Sequence, residues 1–162
     1  MVAGARRRAV RDGDRQTDTA HLLHSLLDHA PEVRATVGGP QQLARLLGYL
    51  VQRSIGYGLR WQGSVEDSGA LAVVPAAAVP GGREPRDTAG WSPAAAAALA
   101  AARERARLRG GSRVTGLDLL AALTADPASR AVEVLERVGV RELNTPDESG
   151  VDEYAGDGGP AR

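Results

Sequence analysis

Two stretches of this 162-residue sequence follow the same plan, which indicates an internal duplication. Each stretch has an Ala-containing helical segment, a Gly stop, a polar stretch with a Thr, and then a Leu-Leu pair. The clearest matches are His21-Leu22-Leu23 with Asp118-Leu119-Leu120, Leu26 with Leu123, and Pro31 with Pro127, the last displaced by one residue. A duplication of this size predicts two small, similar units that share one core.

Helix signals in both halves predict an all-α fold. Leucines and an alanine recur on one helical face in the first half, at positions 22, 23, 26, 27 and 30. In the second half, Ser92-Pro93 provides an N-cap and a first-turn proline before an Ala-rich helix that Gly110 ends. Pro31 and Pro127 are each expected to open a short helix. We therefore predict two pseudo-symmetric four-helix units packed as one domain, the second interrupted near Asn144.

The distribution of Gly, Pro and acidic residues sets the predicted boundaries. Residues 1–60 form the first unit, and residues 91–143 form the second. Between them, residues 61–90 are rich in Gly, Pro and Ala and are expected to be a mobile linker. Residues 144–162 are acidic and Gly-rich with little to bury, so this tail is expected to be disordered.

Composition excludes several classes of function. Without cysteine there is no disulfide, thiolate nucleophile or Cys-based zinc site. A formal net charge of zero gives no overall attraction to DNA or to an anionic membrane. No apolar run approaches the roughly 20 residues of a membrane span, and the N-terminus lacks the apolar stretch of a secretory signal. We therefore expect a bacterial cytoplasmic protein.

The repeated residues resemble the signature of the Clp N-terminal (Clp repeat) domain family. In that signature a helix and a Gly turn are followed by Thr-Glu-His-Leu-Leu. The resemblance covers roughly residues 2–56 and 91–143, and the stretch 134–140 is similar to the family's leucine-rich helix ending in Leu-Gly-Val. It assigns structural roles in the repeat motif to Thr19, His21, Leu22, Leu23, Thr115, Asp118, Leu119 and Leu120.

Two departures from the family limit what the resemblance implies. The family's domain normally sits at the front of an ATP-driven unfoldase, where it receives substrates and adaptors. All 20 basic residues here are Arg, so the chain has no phosphate-binding loop of the Gly-x4-Gly-Lys type. Some relatives read phosphoarginine with the Glu that precedes the motif His. Ala20 and Leu117 stand at those positions, so we expect phosphoarginine recognition to be lost.

The resemblance implies a non-catalytic protein- or peptide-binding module of the Clp proteolysis and chaperone system. Such a module would act as an adaptor, decoy or regulator, docking its ligand in a groove between the repeats. Its partners would be a Clp unfoldase, a protease subunit, a substrate or an adaptor, with no nucleic acid or membrane. The alternative is a Clp-fold regulator unrelated to proteolysis, either transcriptional or small-molecule-binding, and an enzyme is the third class.

Arginines and aromatic residues are the candidates for protein binding, since both serve as interface anchors. The arginines lie in equivalent helices of the two halves, and most of the aromatics flank the predicted linker. The candidates are Arg7, Arg11, Arg103, Arg107, Tyr57, Trp61 and Trp91. The alternatives are that the arginines are solvated helix faces and that the aromatics cover the junction between the halves.

All three histidines lie close together in the sequence, at positions 21, 24 and 29. On an ideal helix, His21, His24 and Asp28 fall within about 60° of one another, a spacing that can chelate a metal. The alternative is that His21 is the structural residue of the repeat motif and His24 a solvated surface residue. No Gly-x-Ser-x-Gly nucleophile elbow occurs. We expect no catalytic residue, no cofactor and no metal.

Overall fold

The computed structural model describes residues 1–53, 64–67, 90–141 and 143. Within these ranges the chain forms helices and no strand, which confirms the all-α prediction. The helices are α1 (Val2–Asp12), α2 (Thr19–His29), α3 (Pro31–Val37), α4 (Pro40–Gln52), α5 (Pro93–Leu108), α6 (Gly116–Thr124) and α7 (Arg130–Arg137). Most of the predicted linker and the whole predicted tail lie outside the described residues.

Short polar side chains begin several of the helices. Asp18, Ser92 and Thr115 each accept a hydrogen bond from a backbone N–H in the first turn of the following helix, as the sequence predicts for Ser92. The prediction for Pro127 is wrong, because this residue lies in a turn. Ser129 caps α7 instead and accepts from the backbone N–H of Val132, so the helix begins three residues later than Pro127.

Helix α2 forms the centre of the molecule. It packs against α1, α3 and α4 of the first half and against α5, α6 and α7 of the second. Its residues 19–27 are all buried, so the leucine stripe of the sequence marks only part of its buried surface. An α-helix enclosed on all sides buries its polar residues as well, and this places several polar groups of α2 inside the protein.

The contacts between helices are similar in the two halves. Helix α1 packs on α2, and α5 packs on α6. Across the halves, α2 packs on α7 and α3 packs on α6, while α2 and α6 contact each other. The buried face of α5 is made of alanines at positions 94, 95, 98, 102 and 106, whose small side chains allow neighbouring helices to approach closely.

No helix in the described part of the chain is both long enough and apolar enough to cross a membrane.

Gly116, the first residue of α6, lies against Ala30 and the first turn of α3. A Cβ atom at this position would lie 2.9 Å from the Cβ of Ala30 and 3.0 Å from a methyl group of Val33. Gly48, on the exposed side of α4, would have no neighbouring atom within 4 Å of an added Cβ atom. Both glycines lie in helices. A comparison of the two Ala substitutions therefore distinguishes the effect of packing, present only at Gly116, from the effect of helix propensity.

We predict that Gly116→Ala destabilises the protein by about 1–3 kcal/mol, because the added methyl group overpacks the contact between α6 and α3. Gly48→Ala should stabilise the protein by about 0.5–1 kcal/mol, because Ala is the better helix former and space is open there. Urea unfolding of both variants at neutral pH measures the two changes. Equal effects of the two substitutions would contradict the close packing at Gly116.

Candidate functional site

The carboxylate of Asp18 is a buried junction between three helices. Its side chain is 1 % exposed at the start of α2. One oxygen, Oδ1, accepts from the backbone N–H of His21 at 2.9 Å. The other, Oδ2, accepts from Arg130 at 2.7 Å and from Arg53. Since Arg53 follows α4 and Arg130 begins α7, one carboxylate connects α2, α4 and α7.

Glu66 is a second buried carboxylate beside this junction. Its Oε2 accepts from the backbone N–H of Thr19 at 2.9 Å and from the hydroxyl of Ser92 at 2.8 Å. Its Oε1 accepts from the Thr19 hydroxyl and from the backbone N–H of Arg130 at 2.7 Å. The Thr19 hydroxyl in turn accepts from the backbone N–H of Ala131 at 2.9 Å. Glu66 therefore holds the N-terminal ends of α2, α5 and α7 together.

The surroundings of Asp18 keep it ionised. Burial by itself would raise the pKa of Asp18. The hydrogen bond to His21 and the positive charges of Arg53 and Arg130 outweigh burial and hold that pKa well below its usual range. An ionised carboxylate whose oxygens already accept hydrogen bonds serves as a structural acceptor, and we assign Asp18 that role.

Several buried hydroxyl groups are engaged with oxygen acceptors. Ser92 and Thr19 donate to Glu66, Ser25 donates to the carbonyl of Met1, and Ser129 donates to the carbonyl of Leu123. A serine or threonine nucleophile needs a base, most often an imidazole, to take its proton. These four hydroxyls pair with carbonyls or carboxylates, which is the arrangement of structural groups.

A smaller cluster of polar contacts holds the corresponding turn of the second half, between α5 and α6. Asp118 accepts from Arg109 at 2.6 Å and from the backbone N–H and hydroxyl of Thr115 at 2.9 and 2.8 Å. Burial would raise the pKa of Asp118, but the hydrogen bonds from Arg109 and Thr115 lower it to about 2. The turn between α5 and α6 is thus fixed by an ion pair.

The turn between α1 and α2 brings together two carboxylates and a histidine. Nε2 of His21 lies 3.1 Å from Oδ2 of Asp14 and 3.6 Å from Oδ2 of Asp12. One ligand atom from each of the three residues lies within 4.8 Å of the others, so this cluster has the spacing to hold a metal ion. Asp28 instead forms an ion pair with Arg8, away from this cluster. The sequence pattern of His21, His24 and Asp28 therefore missed Asp12 and Asp14, which the Asp-Gly-Asp turn places opposite His21.

The structure describes five of the seven predicted binding residues. Arg7, Arg11, Arg103 and Arg107 are all exposed. Arg11 contacts Asp12, and Arg107 forms two hydrogen bonds with Glu104. Tyr57 and Trp61 lie outside the described residues.

Trp91 is buried, with 5 % of its surface exposed. The guanidinium of Arg6 lies 5.0 Å from the centroid of its ring. Trp91 also forms the backbone bridge with Thr17 that joins the two halves. Its place in the structure is that of a packing residue, which was the alternative considered for the aromatics.

The eight residues of the repeat motif lie where α2 and α6 begin. His21 and Asp118 each occupy the third position of their helix and complete a capping box. The leucines at positions 22, 23, 119 and 120 are buried in the common core. The aligned cap residues are Asp18 and Thr115, so Thr19 stands one position later than its proposed counterpart.

A groove of about 660 Å³ lies along α7. Its lining consists of Thr124, Val132, Leu135, Glu136, Val140, Arg141 and Leu143. This groove belongs to the second half alone. It is therefore a different place from the groove between the repeats that the sequence led us to expect.

His24 is a buried histidine on the side of α2 that faces α1. Burial and the nearby charge of Arg8 lower its pKa from 6.5 to about 4. The folded protein therefore holds His24 neutral, whereas the unfolded chain protonates it below about pH 6.5. The contribution of His24 to folding stability therefore falls as the pH drops from 6.5 toward 4, because the unfolded state then binds the additional proton.

We predict that His24→Gln reduces this acid sensitivity. Between pH 7.5 and 5 the His24 contribution to the free energy of unfolding should fall by about 2 kcal/mol in the wild-type protein. Urea unfolding at both pH values, for wild type and variant, measures the difference. Equal losses of stability in the two proteins would show that His24 does not change its protonation on unfolding.

We predict that Asp18→Asn destabilises the protein by about 3 kcal/mol at pH 7, because the substitution removes the buried negative charge that the largely buried guanidinium groups of Arg53 and Arg130 share. Asp67→Asn, at an exposed position beside Glu66, is the matched control and should change stability by less than about 0.5 kcal/mol. Because the pKa of Asp18 is depressed in the folded state, its contribution is present above about pH 4 and lost as the pH falls further. A variant as stable as the control would contradict the role of Asp18 as a junction.

No protein-family model, curated protein or solved structure gives a significant match to this chain.

Proposed function

We propose that this chain is a non-catalytic protein- or peptide-binding module of the Clp-repeat type, acting as an adaptor, decoy or regulator of a Clp unfoldase. The observation that carries the proposal is the recurrence of one local design in both halves of the helical fold. A helix ends at a left-handed glycine, and the next helix begins with a capping box followed by two buried leucines.

The two turns support this equivalence in detail. Gly13 and Gly110 both have a φ of 73°, a left-handed conformation that favours glycine. His21 and Asp118 both stand at the third position of the following helix and bond back to the backbone of its cap residue. The sequence match of His21-Leu22-Leu23 with Asp118-Leu119-Leu120 is therefore also a match of position in the helices.

Helix packing gives independent support. If α1, α2 and α3 correspond to α5, α6 and α7, the contact of α2 with α7 corresponds to that of α6 with α3. The pair α1–α2 likewise corresponds to the pair α5–α6. The first half has a fourth helix, α4. Its counterpart would follow α7, where the described residues 138–141 and 143 are not helical. We propose two diverged repeats, of which the second lacks its last helix within this range.

The positions that read phosphoarginine in some relatives argue for a different ligand here. Ala20 is fully buried in the core, and Leu117 packs against the core with part of its surface exposed. Neither side chain offers a carboxylate to a guanidinium. An unmodified peptide is the ligand class that we propose.

The groove along α7 is the surface that we propose for docking. Val132, Leu135 and Val140 give it an apolar floor, while Glu136 and Arg141 bring opposite charges to its edge. Its volume lies within the usual range of ligand pockets, roughly 300–1,000 Å³. An apolar floor with charged groups beside it suits a short peptide segment with apolar anchors and flanking charges.

An affinity experiment with two matched variants tests this function. Tagged full-length protein is used to retain partners from a bacterial lysate, with mass spectrometry of the retained proteins. Val132→Asp places a charge in the groove, and Val10→Asp places the same charge at a position that is 80 % exposed on α1. Circular dichroism confirms that both variants fold.

We expect the wild type and Val10→Asp to retain Clp unfoldase, protease or adaptor subunits, and Val132→Asp to lose them by about tenfold or more. Purified partner binding to the three proteins then gives the affinities directly. Retention of DNA or unrelated proteins only would mean that the fold serves a regulator outside proteolysis. Equal retention by both variants would place the docking surface elsewhere.

A further inference from the structure

His21 carries a buried nitrogen without a hydrogen-bond partner among the described residues. The side chain is 2 % exposed, and Nε2 is the atom concerned. Asp14 and Asp12 lie within ion-pairing distance of this nitrogen, but neither carboxylate is aligned with it as a hydrogen-bond acceptor. Nε2 therefore needs a partner that the hydrogen bonds among the described residues do not supply.

The other ring nitrogen of His21 is held by Asp18. Nδ1 accepts from the backbone N–H of Asp18 at 3.2 Å in the capping box, and Oδ1 of Asp18 lies closer to it, at 2.7 Å. In the tautomer with the proton on Nδ1, this nitrogen gives up the backbone bond and donates to Oδ1, and Nε2 then presents a lone pair toward Asp12 and Asp14. Histidines that bind metals almost always donate their second ring N–H to a carboxylate, a carbonyl or a water, which fixes the tautomer and orients the ring. Asp18 stands in that position.

The two aspartates complete a set of three ligands. Arg11 contacts Oδ1 of Asp12, which leaves Oδ2 on the side of His21. Asp14 keeps 37 % of its side chain exposed, so solvent reaches the cluster from its side. One imidazole nitrogen and two carboxylate oxygens suit a borderline metal ion such as Zn²⁺, with a further position for water. Mg²⁺ and Ca²⁺ prefer oxygen ligands alone.

The turn between α5 and α6 in the second half has an ion pair at the positions that correspond to Asp12 and His21. Arg109 precedes the left-handed Gly110, as Asp12 precedes Gly13, and Arg109 forms a direct ion pair with Asp118 at the third position of α6. In the first half this pair is replaced by Asp12 and His21. The guanidinium of Arg53 lies 4.0 Å from Oδ2 of Asp14 and forms its closer ion pair with Asp18. A cation bound at Nε2 of His21 would pair directly with Asp12 and Asp14.

We propose that Asp12, Asp14 and His21 bind a divalent transition-metal ion of the zinc type in the turn between α1 and α2, with Asp18 orienting the imidazole. The ion joins the end of α1 to the start of α2. It stabilises the folded chain and leaves one position open to solvent. This site is separate from the groove along α7, so the metal proposal can be tested independently of the proposed docking function.

The first test is a zinc titration of the full-length chain after removal of metals with a chelator. Calorimetry should show one equivalent of Zn²⁺ bound, and a hundredfold excess of Zn²⁺ over its Kd should raise the Tm by about 5 °C or more. Asp14→Asn and Asp12→Asn should each weaken binding by about 10- to 100-fold. Asp28→Asn is the matched control on α2 and should bind zinc as the wild type does.

Nitrogen NMR of the imidazole rings decides the ligand atom. Addition of Zn²⁺ should shift Nε2 of His21 to the metal-bound range while Nδ1 keeps its proton. His21→Gln should abolish binding. If that variant fails to fold, zinc binding by Asp14→Asn is the deciding measurement. Asp14 is partly exposed and lies outside the helices, so its substitution disturbs the fold less.

Three outcomes would overturn the proposal. The first is that the wild type shows no binding and no change in Tm at millimolar Zn²⁺. The second is that zinc binds with equal affinity to the wild type and to both aspartate variants, which would place it at another histidine. The third is that Nε2 of His21 carries a proton at pH 7 and does not respond to Zn²⁺, so that an N–H group alone satisfies the two aspartates.

Discussion

The two buried carboxylates of Asp18 and Glu66 are the constraint on which the rest of the fold depends. Both lie at the N-terminal end of the central helix α2, where backbone N–H groups have no partners within the helix. Asp18 binds arginines that follow α4 and begin α7, and Glu66 binds α2, Ser92 and α7. Because each carboxylate has acceptor sites for several donors, the helix ends of both halves meet at one point.

This constraint also explains which groups remain available for function. The carboxylates, arginines and hydroxyls of the junction satisfy one another, so the junction is a structural centre rather than a place for chemistry. Outside the junction, the groove along α7 and Nε2 of His21 are two features of the described residues that could take a ligand. We propose that these two features belong to a binding module with a metal site in the turn between α1 and α2.

The sequence predicted the helices and most of their caps because these depend on local signals such as Ser92-Pro93 and the left-handed glycine after α1. It did not predict the partners of the buried polar groups, because those contacts join residues far apart in the chain. Glu66 lies within the stretch expected to be a mobile linker, yet its side chain reaches the core. Asp12 and Asp14 were missed because only the turn at Gly13 brings them to His21. The helix start predicted at Pro127 was wrong because the side chain of Ser129 caps α7 two residues later.

Native-state hydrogen exchange tests most directly the claim that the two halves form one cooperative unit around α2. We predict that the slowest amides of α2 and of α6 exchange with the same free energy, equal to that of global unfolding measured with denaturant. Both helices should also lose protection together as denaturant is added. Exchange of α6 at a clearly lower free energy than α2 would show that the second half opens alone, and it would contradict the central role of the shared junction.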